Sequence, residues 1–249
     1  MSKALDTMLY LDGVSVSFDG FKAINNLSII VQPAEMLAII GPNGAGKTTM
    51  MDIITGKTRP DAGEVMFDGR TDLTKLDEAA IANLGIGRKF QKPTVFESHT
   101  VWDNLAMALR KPRGIFATLF YSASNEDEAR ITEILETVRL LHRKDEFAAN
   151  LSHGQKQWLE IGMLLAQDPK LLLVDEPVAG MTDSETEETA KLLREISVTR
   201  SVVVVEHDMS FVRELGSRVV CLAEGSVLAE GSLDQVSKNP VVIERYLGR

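Results

Sequence analysis

The feature that most constrains this chain is a glycine-rich segment, residues 41–48, which has the pattern GxxxxGK[ST]. It follows a continuous apolar run from Met36 to Ile40, which is typical of a buried strand, and it opens a predicted helix from Lys47 to about Thr55. A strand, a glycine-rich turn and a helix in this order form the phosphate-binding loop of nucleotide-binding α/β proteins. The sequence therefore predicts an α/β fold with a phosphate site at the end of this strand.

The residue types in this segment suit a nucleoside triphosphate. Glycines allow successive backbone N–H groups to curl around a phosphate without obstruction by side chains. Lys47 is expected to reach the β- and γ-phosphates, and the Thr48 hydroxyl is a hard oxygen ligand suited to Mg²⁺. The predicted nucleotide-binding residues of the loop are Gly41, Pro42, Asn43, Gly44, Ala45, Gly46, Lys47, Thr48 and Thr49.

Composition excludes several other classes of protein. A length of 249 residues with 44% hydrophobic and 25% charged residues is typical of one large or two closely joined globular domains. The longest apolar run is far shorter than the roughly 18 residues of a membrane span. A net charge of −9 argues against a general nucleic-acid binder. The single cysteine and an N-terminus without a secretory pattern predict a protein of the reducing cytosol.

The first two thirds of the chain predict a β-rich opening followed by helices. Alternating residues predict two antiparallel strands, 9–18 and 27–31, joined through Asp19-Gly20. Residues 73–84 predict a surface helix. From 100 to 167 the chain is mainly helical in pattern, with no assignment for residues 111–125.

After Pro169, strands and helices alternate, which predicts a mostly parallel sheet covered by helices. Thr182 and Glu185 fit a capping box at the start of one of these helices. The predicted fold is a P-loop NTPase core, a mostly parallel sheet flanked by helices, with an N-terminal antiparallel β subdomain and an inserted helical subdomain. The predicted domain is 8–249, with the core at 8–90 and 168–249 and the helical subdomain at 91–167.

Two carboxylates, Asp175 and Glu176, follow a second apolar strand at residues 171–174. Taken alone, they are also consistent with a surface turn before Pro177. Beside a phosphate-binding loop they predict a hydrolytic site, with Asp175 holding the magnesium shell and Glu176 acting as the general base for the attacking water.

Residues 151–155, Leu-Ser-His-Gly-Gln, resemble the LSGGQ signature of the ATP-binding-cassette (ABC) ATPases, and the resemblance extends over most of the chain. It implies that ATP is the nucleotide and that the signature of one chain completes the nucleotide site of another. A homodimer, or a heterodimer with a second ABC ATPase subunit, follows from that arrangement. The signature residues expected to act on the partner's ATP are Ser152, His153, Gly154 and Gln155.

The same resemblance implies roles for three more residues. Gln91 has the position of the family's Q-loop residue, which contacts the metal and takes part in catalysis. His207 has the position of the catalytic switch histidine, and Phe18 that of the aromatic residue that stacks on adenine. Each also has a structural reading: a solvated loop amide for Gln91, a neighbour of a helix N-cap for His207, and a core residue for Phe18.

Two positions depart from the family pattern. His153 stands where the signature usually has its first glycine, which places a bulky side chain at the expected dimer interface. Thr182 stands where the family's D-loop usually has aspartate, so the usual polar contact across the dimer would have to come from Asp183.

Residues 86–96 and 100–105 resemble the ATP-binding subunits of branched-chain amino-acid-type importers. Residues 151–166 and 176–182, together with the ending Tyr246-Leu247-Gly248, resemble the urea-importer branch. The resemblance implies an ATPase that energises a membrane importer for urea, with branched-chain amino acids or related amides as the alternative. The implied partners are integral-membrane permease subunits and, indirectly, a solute-binding protein. The permease would dock in a groove formed by residues 90–96 and the helical subdomain, at the cytoplasmic face of the membrane. The substrate rests on resemblance alone.

Two other classes of function remain open. A soluble cassette ATPase acting on DNA or ribosomes would be expected to carry a coiled-coil insertion or a second cassette. A small-molecule P-loop kinase would not need the signature or His207. Cys221 lies in an apolar run and is interpreted as a buried hydrophobic residue rather than a reactive thiol.

Overall fold

The structure is a computed structural model that describes residues 7–89, 94–110 and 124–247. Gln91 and most of the unassigned segment 111–125 lie outside the described residues. Within the described residues the strands form two sheets, one antiparallel and one mixed.

The antiparallel sheet is built from the N-terminal part of the chain, with strand order β2-β1-β4-β5. Phe18 pairs with Phe21 across a turn at Asp19-Gly20, where both residues have positive φ, so the predicted hairpin turn is confirmed. The second strand starts six residues earlier than predicted. Its first part pairs with β1 through several register shifts, which interrupt the alternation of apolar and polar residues. The strands are β1 (Leu9–Phe18), β2 (Phe21–Val31), β4 (Ala62–Phe67) and β5 (Thr71–Asp72).

The mixed sheet has the strand order β10-β9-β3-β8-β7-β6. The pairs from β9 to β6 are parallel, and β10 runs antiparallel to β9 at the edge. All five residues of β3, β7 and β8 are buried, as expected for strands covered on both faces. The strands are β3 (Met36–Ile40), β6 (Ile86–Lys89), β7 (Leu171–Asp175), β8 (Ser201–Val205), β9 (Arg218–Ala223) and β10 (Ser226–Gly231).

Helices cover the mixed sheet and form the middle of the chain. The α-helices are α1 (Lys47–Ile54), α2 (Glu78–Asn83), α3 (Val101–Ala108), α4 (Asn125–Thr137), α5 (His153–Leu165), α6 (Asp183–Ser197), α7 (Met209–Leu215), α8 (Leu233–Ser237) and α9 (Pro240–Val242). Shorter turns are the 3₁₀ segments Leu73–Lys75, Leu141–Arg143 and Ala148–Asn150 and the π segment Ile243–Leu247.

The prediction of one helix over residues 73–84 is wrong. A 3₁₀ turn, Leu73–Lys75, is followed by two extended residues before α2 begins. The break arises because the Asp77 side chain accepts a hydrogen bond from Ala80 N at 2.8 Å and so caps a new helix. The capping box predicted for α6 is confirmed: Thr182 is its N-cap, and the Thr182 and Glu185 side chains each bond the other's backbone N–H.

The fold is confirmed as α/β, with the antiparallel sheet and the helical segment flanking a mostly parallel core. Apolar residues of α3, α4 and α5 pack in one cluster with β7, β8 and α6, so the helical segment shares its core with the sheet. Cys221 is buried as predicted, and burial raises the pKa of its thiol to about 11. No helix in the described part of the chain is long and apolar enough to cross a bilayer.

Candidate functional site

Strands of the mixed sheet end at a common edge, and several predicted site residues follow directly on those ends. Ile39 of β3 and Asp175 of β7 both lie opposite Val205 of β8, one on each side. The glycine-rich loop continues from β3, Glu176 follows β7, and His207 comes two residues after β8. Ligands of open α/β sheets bind beyond the carboxyl ends of the strands, so this edge brings the predicted nucleotide and hydrolytic residues together.

The glycine-rich loop adopts a backbone that requires glycine. Gly41, Gly44 and Gly46 have φ values of 146°, 79° and 99°. A Cβ atom at Gly46 would lie only 2.7 Å from the carbonyl oxygen of Ala23 in β2. The loop is thus packed tightly against the antiparallel sheet on one side. Of the other loop residues, Ala45 is buried, Pro42 and Thr49 are partly exposed, and Asn43 and Thr48 are exposed.

Lys47 directs its ammonium group back onto the loop. Its Nζ donates to the carbonyl oxygens of Gly41 at 2.5 Å and Pro42 at 3.0 Å. Burial lowers the pKa of Lys47, and the negative charges of Glu176 and Asp175 oppose that shift. The charges of both carboxylates therefore act on the ammonium group beside the loop.

Asp175 is buried at the end of β7 and faces an arginine that the sequence analysis did not identify. Its Oδ2 lies 3.4 Å from a guanidinium nitrogen of Arg88, and the other terminal nitrogen of Arg88 donates to Asp52 Oδ1 at 2.5 Å. Burial raises the pKa of Asp175, and the charge of Arg88 opposes this. Arg88 lies 87 residues before Asp175, so no local pattern could connect them.

Glu176 and His207 face each other beyond the sheet. Oε1 of Glu176 lies 3.5 Å from Nδ1 of His207, whose side chain is 63% exposed. Glu176 N–H donates to Val205 O at 3.0 Å, and its φ of 44° is uncommon for a residue other than glycine. An unfavourable backbone of this kind occurs at functional sites, where surrounding contacts maintain it.

Glu206 is a second residue that the sequence analysis missed. It is 1% exposed, and its Oε2 accepts from the backbone N–H groups of His207 at 3.0 Å and Asp208 at 3.4 Å. Burial raises its pKa, and the hydrogen bond from His207 N–H opposes that rise. A buried carboxylate thus holds the backbone that carries the His207 imidazole. The only sequence signal was an acidic residue at the end of an apolar strand.

The signature residues form the start of α5. Ser152 is the N-cap: its hydroxyl accepts from Gln155 N–H at 3.2 Å, and the Gln155 side chain accepts from Ser152 N–H at 3.0 Å. The same hydroxyl donates to Glu185 Oε1 at 2.9 Å. A Cβ at Gly154 would lie 2.6 Å from that oxygen, so a larger residue there would have to displace the Glu185 side chain.

His153 contacts the loop that follows Glu176. Its Nε2 lies 3.1 Å from Ala179 O, and since a carbonyl only accepts, the ring nitrogen is the donor. The His153 side chain, predicted to lie at a dimer interface, therefore also makes a contact within its own chain. Thr182, the other departure from the family pattern, caps α6 with its side chain.

The predicted residues thus fall into two groups. The glycine-rich loop, Asp175, Glu176 and His207 share the sheet edge, whereas the signature bonds to the segment after Glu176 and to α6. Among the hydrogen bonds of the described residues, none joins a signature side chain to the glycine-rich loop. Phe18 is 48% exposed at the hairpin tip, so it is not a core residue. Gln91 lies outside the described residues.

A family model described as ABC transporter matches residues 24–179, more than half of the chain. The chain is 34% identical over 250 residues to the high-affinity branched-chain amino acid transport ATP-binding protein LivG of Escherichia coli K12, covering 97% of this chain and 98% of the relative.

Solved structures show the same fold. A nucleotide-free ATP-binding cassette from an ABC transporter superposes with a TM-score of 0.84 at 30% identity, covering 98% of this chain and all of the other. A dimeric post-hydrolysis cassette bound to ADP and phosphate gives a TM-score of 0.74 at 28% identity, covering 91% of this chain and 99% of the other.

Proposed function

This chain belongs to the ABC transporter family of ATP-hydrolysing subunits, and on that premise we propose that it energises a membrane importer for branched-chain amino acids. The observation that supports the ATPase part is the convergence of the glycine-rich loop, Asp175, Glu176 and His207 at one sheet edge. The observation that supports the substrate is the relative's name, because a cassette does not itself contact the solute.

The sequence resemblance favours urea, with branched-chain amino acids or related amides as the alternative. The full-length match to a branched-chain amino acid transport subunit favours the alternative. Two of the three segments that resemble the urea branch lie in the signature helix and after Glu176, where they would act on nucleotide rather than on solute; the third is the C-terminal Tyr246-Leu247-Gly248. Urea is therefore the competing substrate that the transport experiment tests.

The loop fits the phosphates of ATP. Its positive φ angles curl the backbone, as a cradle of N–H groups around a phosphate requires. The Lys47 ammonium donates to two carbonyl oxygens of the loop, and phosphate oxygens would replace these acceptors when ATP binds. Phe18 at the hairpin tip would stack on adenine, as its exposure allows.

The donors near the loop also fit Mg²⁺. They are oxygens: the exposed Thr48 hydroxyl at the start of α1 and the Asp175 carboxylate, with Gln91 as a third oxygen donor by family resemblance. No cluster of three or more His, Cys, Asp or Glu residues that could hold a metal exists within the described ranges, so phosphate oxygens would complete the shell. When bound, the metal would neutralise charge on the phosphates.

Glu176 is assigned as the general base. Its carboxylate would accept a proton from the attacking water, and His207, 3.5 Å away, would orient that carboxylate and contact the γ-phosphate. The Glu206 carboxylate supports this pair because it accepts a hydrogen bond from the backbone N–H of His207.

A second cassette would complete the site. Ser152 and the first N–H groups of α5 form an anion site that lies apart from the chain's own glycine-rich loop, so it would serve the nucleotide of a facing subunit. A related cassette of the same fold is dimeric with ADP and phosphate bound. The second subunit would be a copy of this chain or a related one.

The surface for the permease is proposed beside the helical segment. Phe96 and Phe147 are 49% and 54% exposed, and they belong to two segments that run side by side, with Ala148 N–H donating to His99 O at 2.9 Å. Exposed aromatic residues of this kind are typical of interfaces. This face would place the chain at the cytoplasmic side of the membrane.

The test is transport by the reconstituted complex. Vesicles holding the permease subunits and this chain should accumulate radiolabelled leucine when ATP is supplied at the cassette side, and Glu176→Gln should abolish that uptake. Uptake of urea without leucine would return the substrate to the urea branch. Steady ATP hydrolysis with transport of neither would contradict both substrates while leaving the ATPase assignment in place.

A further inference from the structure

Glu185, which the mechanism above does not use, holds the signature serine. Its Oε1 accepts the Ser152 hydroxyl at 2.9 Å. Its Oε2 accepts from the backbone N–H and the hydroxyl of Thr182, both at 3.0 Å. The carboxylate is thereby held from two sides in front of the first turn of α5.

The carboxylate occupies the space at the start of that helix. A side chain at Gly154 would collide with it, as described above. The hydrogen bond from Thr182 N–H, together with that from Ser152, lowers the pKa of Glu185, so the group is ionised at neutral pH. The negative charge of Glu185 therefore lies at the position where the signature residues would bind a phosphate.

The Ser152 hydroxyl has one proton to donate. That proton goes to Glu185, while an oxygen lone pair accepts Gln155 N–H. An ionised phosphate oxygen is only an acceptor, so it needs the same proton. Glu185 and a phosphate therefore cannot both take the Ser152 hydrogen bond.

We propose that Glu185 is a positioning residue that sets the ATP concentration at which two cassettes associate, because the Ser152 hydroxyl must turn from Glu185 to the γ-phosphate held by the facing subunit. This inference rests on the proposed function, in which the signature faces the nucleotide of a second cassette. Association then breaks the Ser152–Glu185 bond and brings a phosphate close to a carboxylate.

Glu185→Gln isolates this effect. The amide oxygen can still accept from Thr182, which keeps the cap of α6. The amide nitrogen would then donate to Ser152 Oγ, so the serine proton becomes free for phosphate. The substitution also removes the negative charge. Both changes favour association.

The experiment measures the dimer fraction of the full chain against ATP concentration by sedimentation velocity, in a Glu176→Gln background that does not hydrolyse ATP. Glu185→Gln should lower the ATP concentration for half-maximal dimer about tenfold. Glu185→Ala, which removes the contact altogether, should shift it in the same direction. The matched control is Glu187→Gln, which removes an equal charge from the same helix, where Glu187 pairs with Lys191 at the surface; it should leave the midpoint unchanged.

Steady-state kinetics gives a second readout. In the chain with Glu176 intact, Glu185→Gln should lower KM for ATP while kcat stays within about twofold. An unchanged or raised midpoint in both Glu185 variants, with dimer formation intact in the background chain, would show that Glu185 only caps α6. Absence of any ATP-dependent dimer in the background chain would instead contradict the proposed dimeric function.

Discussion

Nδ1 of the His207 imidazole lies 3.5 Å from Oε1 of Glu176, although the two residues follow different strands of the sheet. Their backbones are fixed separately: Glu176 N–H donates to Val205 O, and the Glu206 carboxylate accepts the N–H of His207. The pair is therefore placed by the buried strands beneath it rather than by its own contact. Loss of one side chain should leave the other in position, which makes single substitutions informative.

Glu176→Gln should retain ATP binding and reduce hydrolysis by at least about 100-fold, because the amide keeps the shape of the side chain but cannot accept the proton of the attacking water. The measurement is phosphate release at saturating ATP. Glu224→Gln, a change at an exposed carboxylate, is the control and should hydrolyse normally. Turnover within about tenfold of wild type would remove Glu176 from the role of general base.

Lys47→Ala should weaken ATP binding between about 10- and 100-fold, since hydrogen bonds to a charged group contribute ~1.5–3 kcal/mol. The backbone cradle remains, so binding is reduced rather than abolished. Titration with a fluorescent ATP analogue measures the affinity. Lys57→Ala, which removes a lysine 57% exposed just beyond the same helix, should bind as wild type. Equal affinity in the two variants would contradict the assignment of the loop.

His153→Gly should hydrolyse ATP within about tenfold of wild type, a change of ~1.4 kcal/mol in the barrier. The expected loss is small because the substitution removes only the contacts of Nε2 with Ala179 O and the Gln157 amide, and leaves the N–H groups of α5 and Ser152 in place. Ser152→Arg, which fills the anion site, should abolish turnover. A loss well beyond tenfold in the glycine variant, with ATP binding to its own loop unchanged, would show that the imidazole itself contacts the phosphate.

Glu206→Gln should change how stability depends on pH. Burial raises the pKa of Glu206 in the folded chain. Between the unfolded and folded pKa values, the folded state therefore binds more protons than the unfolded state. As pH rises through that interval, Glu206 lowers the free energy of unfolding of wild type. The variant lacks this penalty, so its unfolding free energy minus that of wild type should increase with pH, by ~1.4 kcal/mol for each unit of pKa difference.

Urea unfolding followed by tryptophan fluorescence, between about pH 4.5 and pH 8, measures this difference. Groups that titrate in both proteins cancel in the comparison. A difference that stays constant over the whole interval would mean that Glu206 ionises equally in the folded and unfolded chains.

Local sequence determined the parts of this protein that depend on neighbouring residues. The apolar run from Met36 to Ile40, the glycines after it and Lys47 specify strand, loop and helix within a short stretch, and the Thr182–Glu185 capping box marks the start of α6. The same reasoning failed where a polar side chain intervened, since Asp77 divides the predicted helix at 73–84. β6 was also missed, because Arg88 and Lys89 hide a strand whose charged residues are paired inside the protein.

Tertiary structure alone decided which distant groups meet. Ser152 reaches Glu185 over 33 residues, His153 reaches Ala179 over 26, and Arg88 reaches Asp175 over 87. These contacts form because parallel strands from separate parts of the chain end at one edge of the sheet, and the helices between them pack into a common core. Periodicity and motif spacing report on residues that are close in sequence. The burial of a carboxylate and the hydrogen-bond partner of a hydroxyl depend instead on residues that are distant in sequence and become neighbours only in the folded chain.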